Sequence, residues 1–139
     1  MILLDTSGLL SAIDGSQRYH RACAAALATV SPPLVLSPFV LAELDYLLAT
    51  QVGTVEQMAL LEEVERSAYH LAPFGASDIA MACAVMNRYD DLRIGLADAS
   101  IVVLADRHGI RDVLTLDERH FRSLRTADRR RFRLLPLDL

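Results

Sequence analysis

The sequence predicts an α/β protein with a central parallel sheet of four to five strands. Short runs that are apolar throughout alternate with longer helix-forming stretches along the whole chain. A strand that is apolar at every position is expected to be buried on both faces, as in parallel sheets covered by helices. The chain has 139 residues, 53% of them hydrophobic, which is enough for one core. We therefore expect a single domain over residues 1–139.

The strands are expected where these apolar runs are bounded by acidic or turn-forming residues. The first run ends at Asp5, the second follows Pro32 and Pro33, and the fourth ends at Asp117. The predicted strands cover residues 2–4, 34–36, 69–74 and 113–116, with a short fifth strand over residues 132–137.

The helices are predicted from helix-forming composition and from their start and stop signals. Thr6 or Ser7 is expected to cap a first helix that runs to about residue 11. Ser37 as the N-cap and Pro38 at the first helical position open the third helix, and Gly109 ends the last one. The predicted helices cover residues 6–11, 16–30, 38–50, a stretch that begins at a capping box in residues 53–57, 77–88 and 96–108.

The composition excludes several kinds of chemistry. All 14 basic residues are arginine, and the chain contains neither lysine nor tryptophan. Without a lysine amine the protein cannot form a Schiff base, bind phosphate through a Walker A lysine, or use the lysine of phosphatases of the haloacid dehalogenase type and of receiver domains. The net charge of -4 also argues against a simple nucleic-acid binder that acts through a basic surface.

The basic residues are concentrated near the end of the chain. Residues 119–133 contain seven arginines and a single acid, Asp128, whereas residues 1–118 contain 16 acids. Arginine binds phosphate bidentately, so this segment is a candidate for RNA contact, with surface ion pairing and contact with a partner protein as the alternatives. The arginines considered for RNA contact are Arg119, Arg122 and Arg125.

The two cysteines and the hydropathy predict a cytoplasmic protein. Cys23 and Cys83 lie in alanine-rich stretches and suggest no disulfide framework, which favours a reducing compartment. No stretch approaches the 18 apolar residues of a membrane span, and the first apolar run lacks the basic leader of a secretion signal.

Four acidic residues stand in apolar surroundings, and each has a structural explanation as well as a functional one. Asp5 and Asp117 follow strands and could be helix N-caps. Asp98 lies in the first turn of a helix, where it would complement the helix dipole. Glu43 lies too far into its helix to cap it, and a surface position is its alternative. Asp5 and Asp117 both stand at carboxyl ends of predicted strands, where α/β proteins bind ligands.

If these four carboxylates converge, they require a cation. Two carboxylates 4 Å apart repel by about 4 kcal/mol at an effective dielectric constant near 20. Oxygen ligands without a cysteine or histidine cluster favour Mg²⁺ or Mn²⁺ over Zn²⁺. Such a site suits metal-assisted hydrolysis of a phosphodiester.

Four stretches of the chain resemble, in order, the motifs of PIN-domain nucleases, and most closely those of VapC-type toxins of bacterial toxin–antitoxin modules. They are Ile-Leu-Leu-Asp-Thr-Ser at residues 2–7, Val-Leu-Ala-Glu-Leu at 40–44, Leu-Ala-Asp-Ala-Ser-Ile at 96–101, and Val-Leu-Thr-Leu-Asp-Glu-Arg-His-Phe at 113–121. Each motif alone is weakly specific, whereas the ordered set is specific and covers essentially the whole chain.

The resemblance implies a three-layer α/β/α sandwich and a metal-dependent active site. Asp5 and Asp98 would be the main metal ligands. Glu43 and Asp117 would complete the site, Asp117 as a ligand as well, directly or through metal-bound water. All four acids would be catalytic residues. The hydroxyls expected to hold these carboxylates or to touch phosphate are those of Thr6 and Thr115.

The same resemblance implies an endoribonuclease that uses Mg²⁺ or Mn²⁺ to cut structured RNA, either transfer RNA or ribosomal RNA. Water would attack the phosphorus, which leaves 5′-phosphate and 3′-hydroxyl ends. A cognate antitoxin of the VapB type would inhibit the enzyme, and a homodimer is expected.

The remaining candidates are interpreted as structural. The four histidines are scattered, and we expect structural or surface roles for them, although His120 alone stands close to a proposed site residue. Asp90 and Asp91 are expected in a solvated turn. Two other functions remain open: a phosphohydrolase with Asp5 as a covalent nucleophile, and a PIN-like binding module without catalysis. The first is disfavoured because residue 7 is serine and the chain has no lysine.

Overall fold

The computed structural model describes all 139 residues and contains a five-stranded parallel sheet. The strands lie side by side in the order β3-β2-β1-β4-β5, and every neighbouring pair is parallel. They are β1 (Ile2–Leu4), β2 (Leu34–Leu36), β3 (His70–Leu71), β4 (Asp112–Leu114) and β5 (Arg133–Leu135). The α/β class and the parallel sheet predicted from the apolar runs are confirmed.

Seven α-helices connect the strands. They are α1 (Thr6–Ile13), α2 (His20–Thr29), α3 (Pro38–Leu47), α4 (Thr54–Glu65), α5 (Ala76–Arg88), α6 (Leu96–His108) and α7 (Glu118–Phe121). A π-helical turn (Leu48–Val52) extends α3, and a 3₁₀ turn (Asp90–Leu92) follows α5. The chain crosses from β1 to β3 in one direction and returns to β4. Right-handed crossovers therefore place α1 to α4 on one face of the sheet and α5 and α6 on the other.

The central strand explains why the first apolar run contains no polar residue. All three residues of β1 are fully buried, because β2 and β4 flank it and helices cover both faces. Leu3 aligns with Val35 of β2 and with Val113 of β4, and both of these partners are buried as well. The core is therefore continuous across the sheet.

The second helix begins later than the sequence predicts. Residues 16–19 form turns, and α2 starts at His20 rather than at Ser16. The reason is local, since the Asp14 carboxylate accepts hydrogen bonds from the backbone N–H and the hydroxyl of Ser16 and from the Gln17 side chain. These bonds stabilise a turn at the residues that helical composition alone assigned to the helix.

Two predicted helix caps are wrong, and three other end signals are confirmed. Asp5 rather than Thr6 or Ser7 occupies the N-cap position of α1, and Gly53 rather than a capping box precedes α4. Ser37 caps α3 by accepting a hydrogen bond from the N–H of Phe39, with Pro38 at the first position. Gly109 ends α6 in the left-handed region, with φ of 65°.

The third strand is shorter than predicted. Only residues 70 and 71 of the predicted stretch 69–74 form β3. Pro73 has no N–H to donate to a neighbouring strand, so pairing ends before it.

The carboxyl edge of the sheet brings the predicted site motifs together. The chain leaves β1 at Asp5, β2 at Ser37 and β4 at Thr115, and all three positions lie at this edge because the strands are parallel. Gly8 of α1 packs directly on the end of β4, where an added Cβ would lie 2.8 Å from the backbone nitrogen of Thr115. The motif at the amino end of the chain is thereby held against the motif that follows β4. No helix has the length and hydropathy needed to cross a membrane.

Candidate active site

A cleft of about 590 Å³ at the carboxyl edge of the sheet contains all four predicted acids. The loops after β1 and β4 supply Asp5 and Asp117, while α3 supplies Glu43 and the first turn of α6 supplies Asp98. The other polar side chains that line it are Thr6, Ser7 and His120. Residues separated by more than 110 positions in the chain thus share one site.

Asp5 is the most deeply buried carboxylate of the cleft, with 5% of its surface exposed. Its Oδ2 accepts hydrogen bonds from the hydroxyls of Thr115 (2.6 Å) and Ser7 (2.8 Å) instead of capping α1. Burial raises the pKa of Asp5, and the two hydroxyl donors oppose that rise. The side chain is therefore a desolvated carboxylate whose orientation is set by two donors.

The two hydroxyls that hold Asp5 also bind the backbone after β4. Thr115 Oγ1 accepts a hydrogen bond from the N–H of Asp117 (2.9 Å), and Ser7 Oγ accepts one from the N–H of Leu116 (3.0 Å). Each hydroxyl thus donates to the Asp5 carboxylate and accepts from a backbone N–H. This network ties the position of Asp5 to that of Asp117, as predicted for Thr115. Ser7 joins it although the sequence did not assign Ser7 to the site.

Thr6 differs from Thr115 because its hydroxyl contacts no polar group. Thr6 is 5% exposed and lines the cleft, but its Oγ1 has no hydrogen-bond partner in the protein. A buried hydroxyl without a partner costs about 1–3 kcal/mol. The cleft therefore holds a hydroxyl that a bound group can satisfy.

Asp98 lies beside Asp5 in a low-dielectric part of the cleft, with 17% of its side chain exposed. Burial, followed by the negative charge of Asp5, raises the pKa of Asp98 to about 6, and the hydrogen bond from His120 opposes the rise. Burial and mutual repulsion thus disfavour the ionised carboxylates, and a bound cation or proton would stabilise them.

His120 belongs to the site, contrary to the structural or surface role predicted for it. Its Nδ1 lies 2.9 Å from Oδ2 of Asp98 and 3.1 Å from Oδ2 of Asp117. Because ionised carboxylates only accept hydrogen bonds, these contacts require the tautomer in which Nδ1 carries a proton. The three-residue spacing between Asp117 and His120 could have indicated this. Asp117 caps α7 by accepting a hydrogen bond from the backbone N–H of His120, and the imidazole of His120 lies against the same carboxylate.

Glu43 reaches the cleft from its rim. The residue is exposed, and its carboxylate forms neither a hydrogen bond nor an ion pair within the protein. Both sequence-based descriptions of Glu43, as a surface residue and as a site residue, are compatible with this position. The helix that carries it is held to α6 by a buried hydrogen bond between the hydroxyls of Ser37 and Ser100 (2.6 Å).

The three arginines considered for RNA contact lie outside this cleft. Arg122 forms a two-pronged ion pair with Asp138 at 2.7 and 2.8 Å, which agrees with the alternative of surface ion pairing. Arg125 donates to the backbone oxygens of Arg122 and Leu124, and the side chain of Arg119 has no partner within the protein. These residues therefore do not share one role.

The donor set of the cleft suits a hard divalent cation. Asp5, Asp98 and Asp117 all line the cleft, and ligand atoms of Asp98, Asp117 and His120 lie within 4.8 Å of one another. In the tautomer in which Nδ1 of His120 donates to the carboxylates, carboxylate oxygens are the ligands available on this side. Desolvated carboxylates that a cation would neutralise, together with the free hydroxyl of Thr6, fit Mg²⁺ or Mn²⁺ better than Zn²⁺.

The raised pKa of Asp98 predicts how the stability of the metal-free protein depends on pH. Folding raises this pKa from 3.8 to about 6, so ionisation of Asp98 opposes folding. The stabilisation of the fold by protonated Asp98 is therefore fully present below about pH 4, and it is lost as the pH rises through 6. We expect Asp98→Asn to gain about 2 kcal/mol relative to the wild type between pH 4.5 and pH 7.5. Thermal unfolding in a chelator measures this, and parallel pH profiles of the two proteins would contradict it.

The sequence and the fold are both similar to those of known proteins. Residues 2–127 match the family model described as PIN domain. The chain is 44% identical over 135 residues to Ribonuclease VapC26 of Mycobacterium tuberculosis. The aligned region covers 97% of this chain and 100% of that protein.

Two crystal structures have a similar fold. The Mycobacterium tuberculosis toxin VapC20, described as cleaving the sarcin-ricin loop, has a TM-score of 0.78 at 20% identity, over 84% of this chain and 90% of that one. FitAcB from Neisseria gonorrhoeae has a TM-score of 0.63 at 25% identity, over 85% of this chain and 88% of that one.

Proposed function

Because this chain belongs to the PIN-domain family, with a VapC ribonuclease among its relatives, we propose that it is a divalent-metal-dependent endoribonuclease and the toxin of a toxin–antitoxin pair. The observation that carries the proposal is the convergence of four acids from four separate segments in one cleft. Two of these acids, Asp5 and Asp98, are desolvated enough for their pKa values to rise. Desolvated carboxylates grouped in one cleft support a site that binds a cation and substrate.

The metal would be held by Asp5, Asp98 and Asp117, with Glu43 at the rim of the cleft. A bound Mg²⁺ or Mn²⁺ supplies Lewis-acid stabilisation of the phosphate and lowers the pKa of an attacking water. Thr115 and Ser7 keep Asp5 oriented, and the N–H of His120 restrains Asp98 and Asp117. Thr6, whose buried hydroxyl has no partner within the protein, is the residue proposed to touch a phosphate oxygen.

Hydrolysis by water determines the ends of the RNA products. Water attacks the phosphorus, the bond from phosphorus to the 3′ oxygen breaks, and that oxygen leaves with a proton as the 3′-hydroxyl. The phosphate remains on the 5′ end of the other fragment. The cleft has a single histidine, His120, and its Nδ1 is engaged with two carboxylates, so a pair of imidazoles acting on the ribose 2′-hydroxyl is not available.

Mapping of RNA ends tests this proposal. Purified protein is incubated with structured RNA, either transfer RNA or ribosomal RNA, in Mg²⁺, in Mn²⁺ or in EDTA. We expect cleavage only with metal, and fragments that accept adaptors requiring a 5′-phosphate and a 3′-hydroxyl. Fragments with 5′-hydroxyl and cyclic phosphate ends, or cleavage that continues in EDTA, would contradict the mechanism. A trapped phosphoryl-Asp5 would favour the alternative phosphohydrolase.

The partners proposed for this enzyme are a VapB-type antitoxin and a second copy of the chain. Support for the antitoxin comes from the relationship to a VapC ribonuclease. Light scattering of the protein alone and with a VapB-type antitoxin tests both partners. A monomer at micromolar concentration would exclude the homodimer.

Thr115 provides a test of how the cleft holds Asp5. Thr115→Val keeps the shape of this fully buried residue but removes the donor to Asp5 and the acceptor for the N–H of Asp117. We expect cleavage to fall by about 10- to 100-fold, which is typical when a group that orients a metal ligand is lost. Thr115→Ser retains the hydroxyl and should restore most of the activity. Equal loss in the two variants would show that packing, not the hydroxyl, matters at this position.

A further inference from the structure

A second polar cleft lies outside the active site, at the end of α5. Its volume is about 540 Å³, and six residues line it: Arg88, Tyr89, Arg125, Thr126, Ala127 and Arg129. Arg88 and Tyr89 end α5, and the other four residues belong to the segment between α7 and β5. None of the six lines the active-site cleft.

This arginine cleft carries uncompensated positive charge. Three guanidinium groups line it and no acid does, and none of the three forms an ion pair. Other arginines in the same part of the chain are paired, as Arg130 is with Asp128 and Arg133 with Asp112.

The acids closest to this cleft are engaged elsewhere. Asp128 accepts a hydrogen bond from the hydroxyl of Thr126 and faces Arg130, while Asp106 accepts one from the N–H of Ala127. Asp90 and Asp91 follow Tyr89 in the chain but do not line the cleft. The cleft therefore remains a concentrated site of positive charge on a protein whose net charge is negative.

Arg129 lies in a turn whose backbone conformation is unfavourable for a residue other than glycine. Residues 125–131 form a tight hairpin in which Arg125 pairs with Arg131 and the N–H of Arg129 donates to the carbonyl of Thr126. Arg129 adopts φ of 63°, in the left-handed region that favours glycine and costs other residues about 1 kcal/mol. Its side chain is exposed and contacts no partner, so folding does not explain an arginine at this position.

Arg125 is held in place before any ligand binds. One of its terminal nitrogens donates to the carbonyl oxygens of Arg122 (2.7 Å) and Leu124 (2.9 Å). These bonds fix the plane of the guanidinium and leave its other N–H donors free. A fixed guanidinium loses little conformational entropy when it binds an anion bidentately.

We propose that Arg88, Arg125 and Arg129 bind the phosphate backbone of the RNA at a distance from the cleavage site. The proposal rests on the proposed ribonuclease function, and it assigns substrate binding to a surface that the active site does not include. Arg125 is eight residues beyond Asp117 and four of these residues are helical, so the two Cα atoms are at most about 20 Å apart. About six stacked nucleotides cover that distance.

An RNA backbone fits this cleft better than an acidic protein segment. Three arginines that form no ion pair match closely spaced phosphates, each of which accepts bidentately.

Binding of uncut RNA tests the proposal independently of catalysis. The full chain is titrated into a fluorescently labelled structured RNA hairpin in EDTA, which prevents metal-dependent cleavage. The variants are Arg88→Gln and Arg129→Gly, with Arg66→Gln as the matched control, because Arg66 is exposed, unpaired and lies at the end of α4. We expect each cleft variant to weaken binding about threefold to tenfold and the control to leave it unchanged.

Arg129→Gly separates binding from folding. Glycine adopts the observed φ without strain, so this variant should unfold at the same temperature as the wild type or higher. We expect its RNA affinity to fall even so, and the slope of log affinity against log salt to decrease by about 0.7–0.9 per arginine removed. A loss of affinity that follows a loss of stability would contradict the proposal.

The outcomes also distinguish this proposal from the ribonuclease function. RNA affinity that is the same in the wild type and the two cleft variants, or no RNA binding at all, would overturn the role of the cleft even if the enzyme cuts RNA. Unchanged RNA affinity with weakened antitoxin binding would instead identify a protein interface. Failure of the wild type to cut any RNA, with affinity still dependent on these arginines, would overturn only the catalytic function.

Discussion

Asp98→Asn and Asp5→Asn are each expected to reduce RNA cleavage by at least about 10³-fold, equivalent to about 4 kcal/mol of transition-state stabilisation. Asparagine retains the size of each side chain but removes one of the converging negative charges that would hold the cation. Initial cleavage rates at saturating Mg²⁺ and Mn²⁺ measure the effect. The fold should survive, because removing a desolvated charge does not reduce packing.

Asp91→Asn is the matched control for these two variants. Asp91 is exposed in the 3₁₀ turn after α5 and lies outside the active-site cleft, so its loss should leave cleavage unchanged. Calorimetry with Mn²⁺ should show binding to the wild type and to Asp91→Asn, with weak or absent binding to Asp98→Asn. Cleavage at wild-type rates by Asp5→Asn and Asp98→Asn would refute the proposed site. Intact metal binding without cleavage would favour the binding module.

Gly8→Ala is expected to destabilise the protein by about 3 kcal/mol or to prevent folding. The added methyl would collide with the carbonyl of Leu114 and the backbone nitrogen of Thr115, and these backbone atoms cannot move without disturbing the sheet. Gly8 directly follows the motif at residues 2–7 that contains Asp5, and Thr115 donates a hydrogen bond to Asp5. The variant should therefore lose cleavage as well as stability. Chemical denaturation measures the free energy of unfolding.

Gly15→Ala is the matched control for Gly8→Ala. A Cβ at Gly15 would meet no atom within 4 Å, and its φ is not in the left-handed region. We expect a stability change between zero and a gain of about 1 kcal/mol, because alanine restricts the unfolded chain. Similar destabilisation by both substitutions would show that glycine flexibility, rather than contact between α1 and β4, is required.

Much of the fold could be predicted because its signals are local. The first strand is apolar at each of its three positions and is followed by Asp5, a pattern typical of a central, buried strand that ends at the carboxyl edge of the sheet. Ser37 and Pro38 mark the start of α3 by chemistry confined to two adjacent residues. The four acids could also be selected from the sequence, since a charge in apolar surroundings is visible without knowledge of the fold.

Predictions that depended on competition between local structures were less accurate. The alanine-rich stretch has helical composition from residue 16, but α2 begins at His20 because Asp14 holds the preceding residues in a turn. The pairing of Arg122 with Asp138, 16 positions away, also depends on how the end of the chain folds back.

The sequence by itself determined the parallel α/β fold, the family and the identity of the four acids. Only the tertiary structure decided the electrostatic state of the site. Whether Asp98 titrates near pH 4 or near pH 6 depends on its burial and on the charge of Asp5, 93 positions away. The place of His120 in the site also depends on a residue distant in the sequence, because its imidazole contacts Asp98, 22 positions away. Solvation and Coulomb energy depend on distances in space, and those distances exist only once the chain has folded.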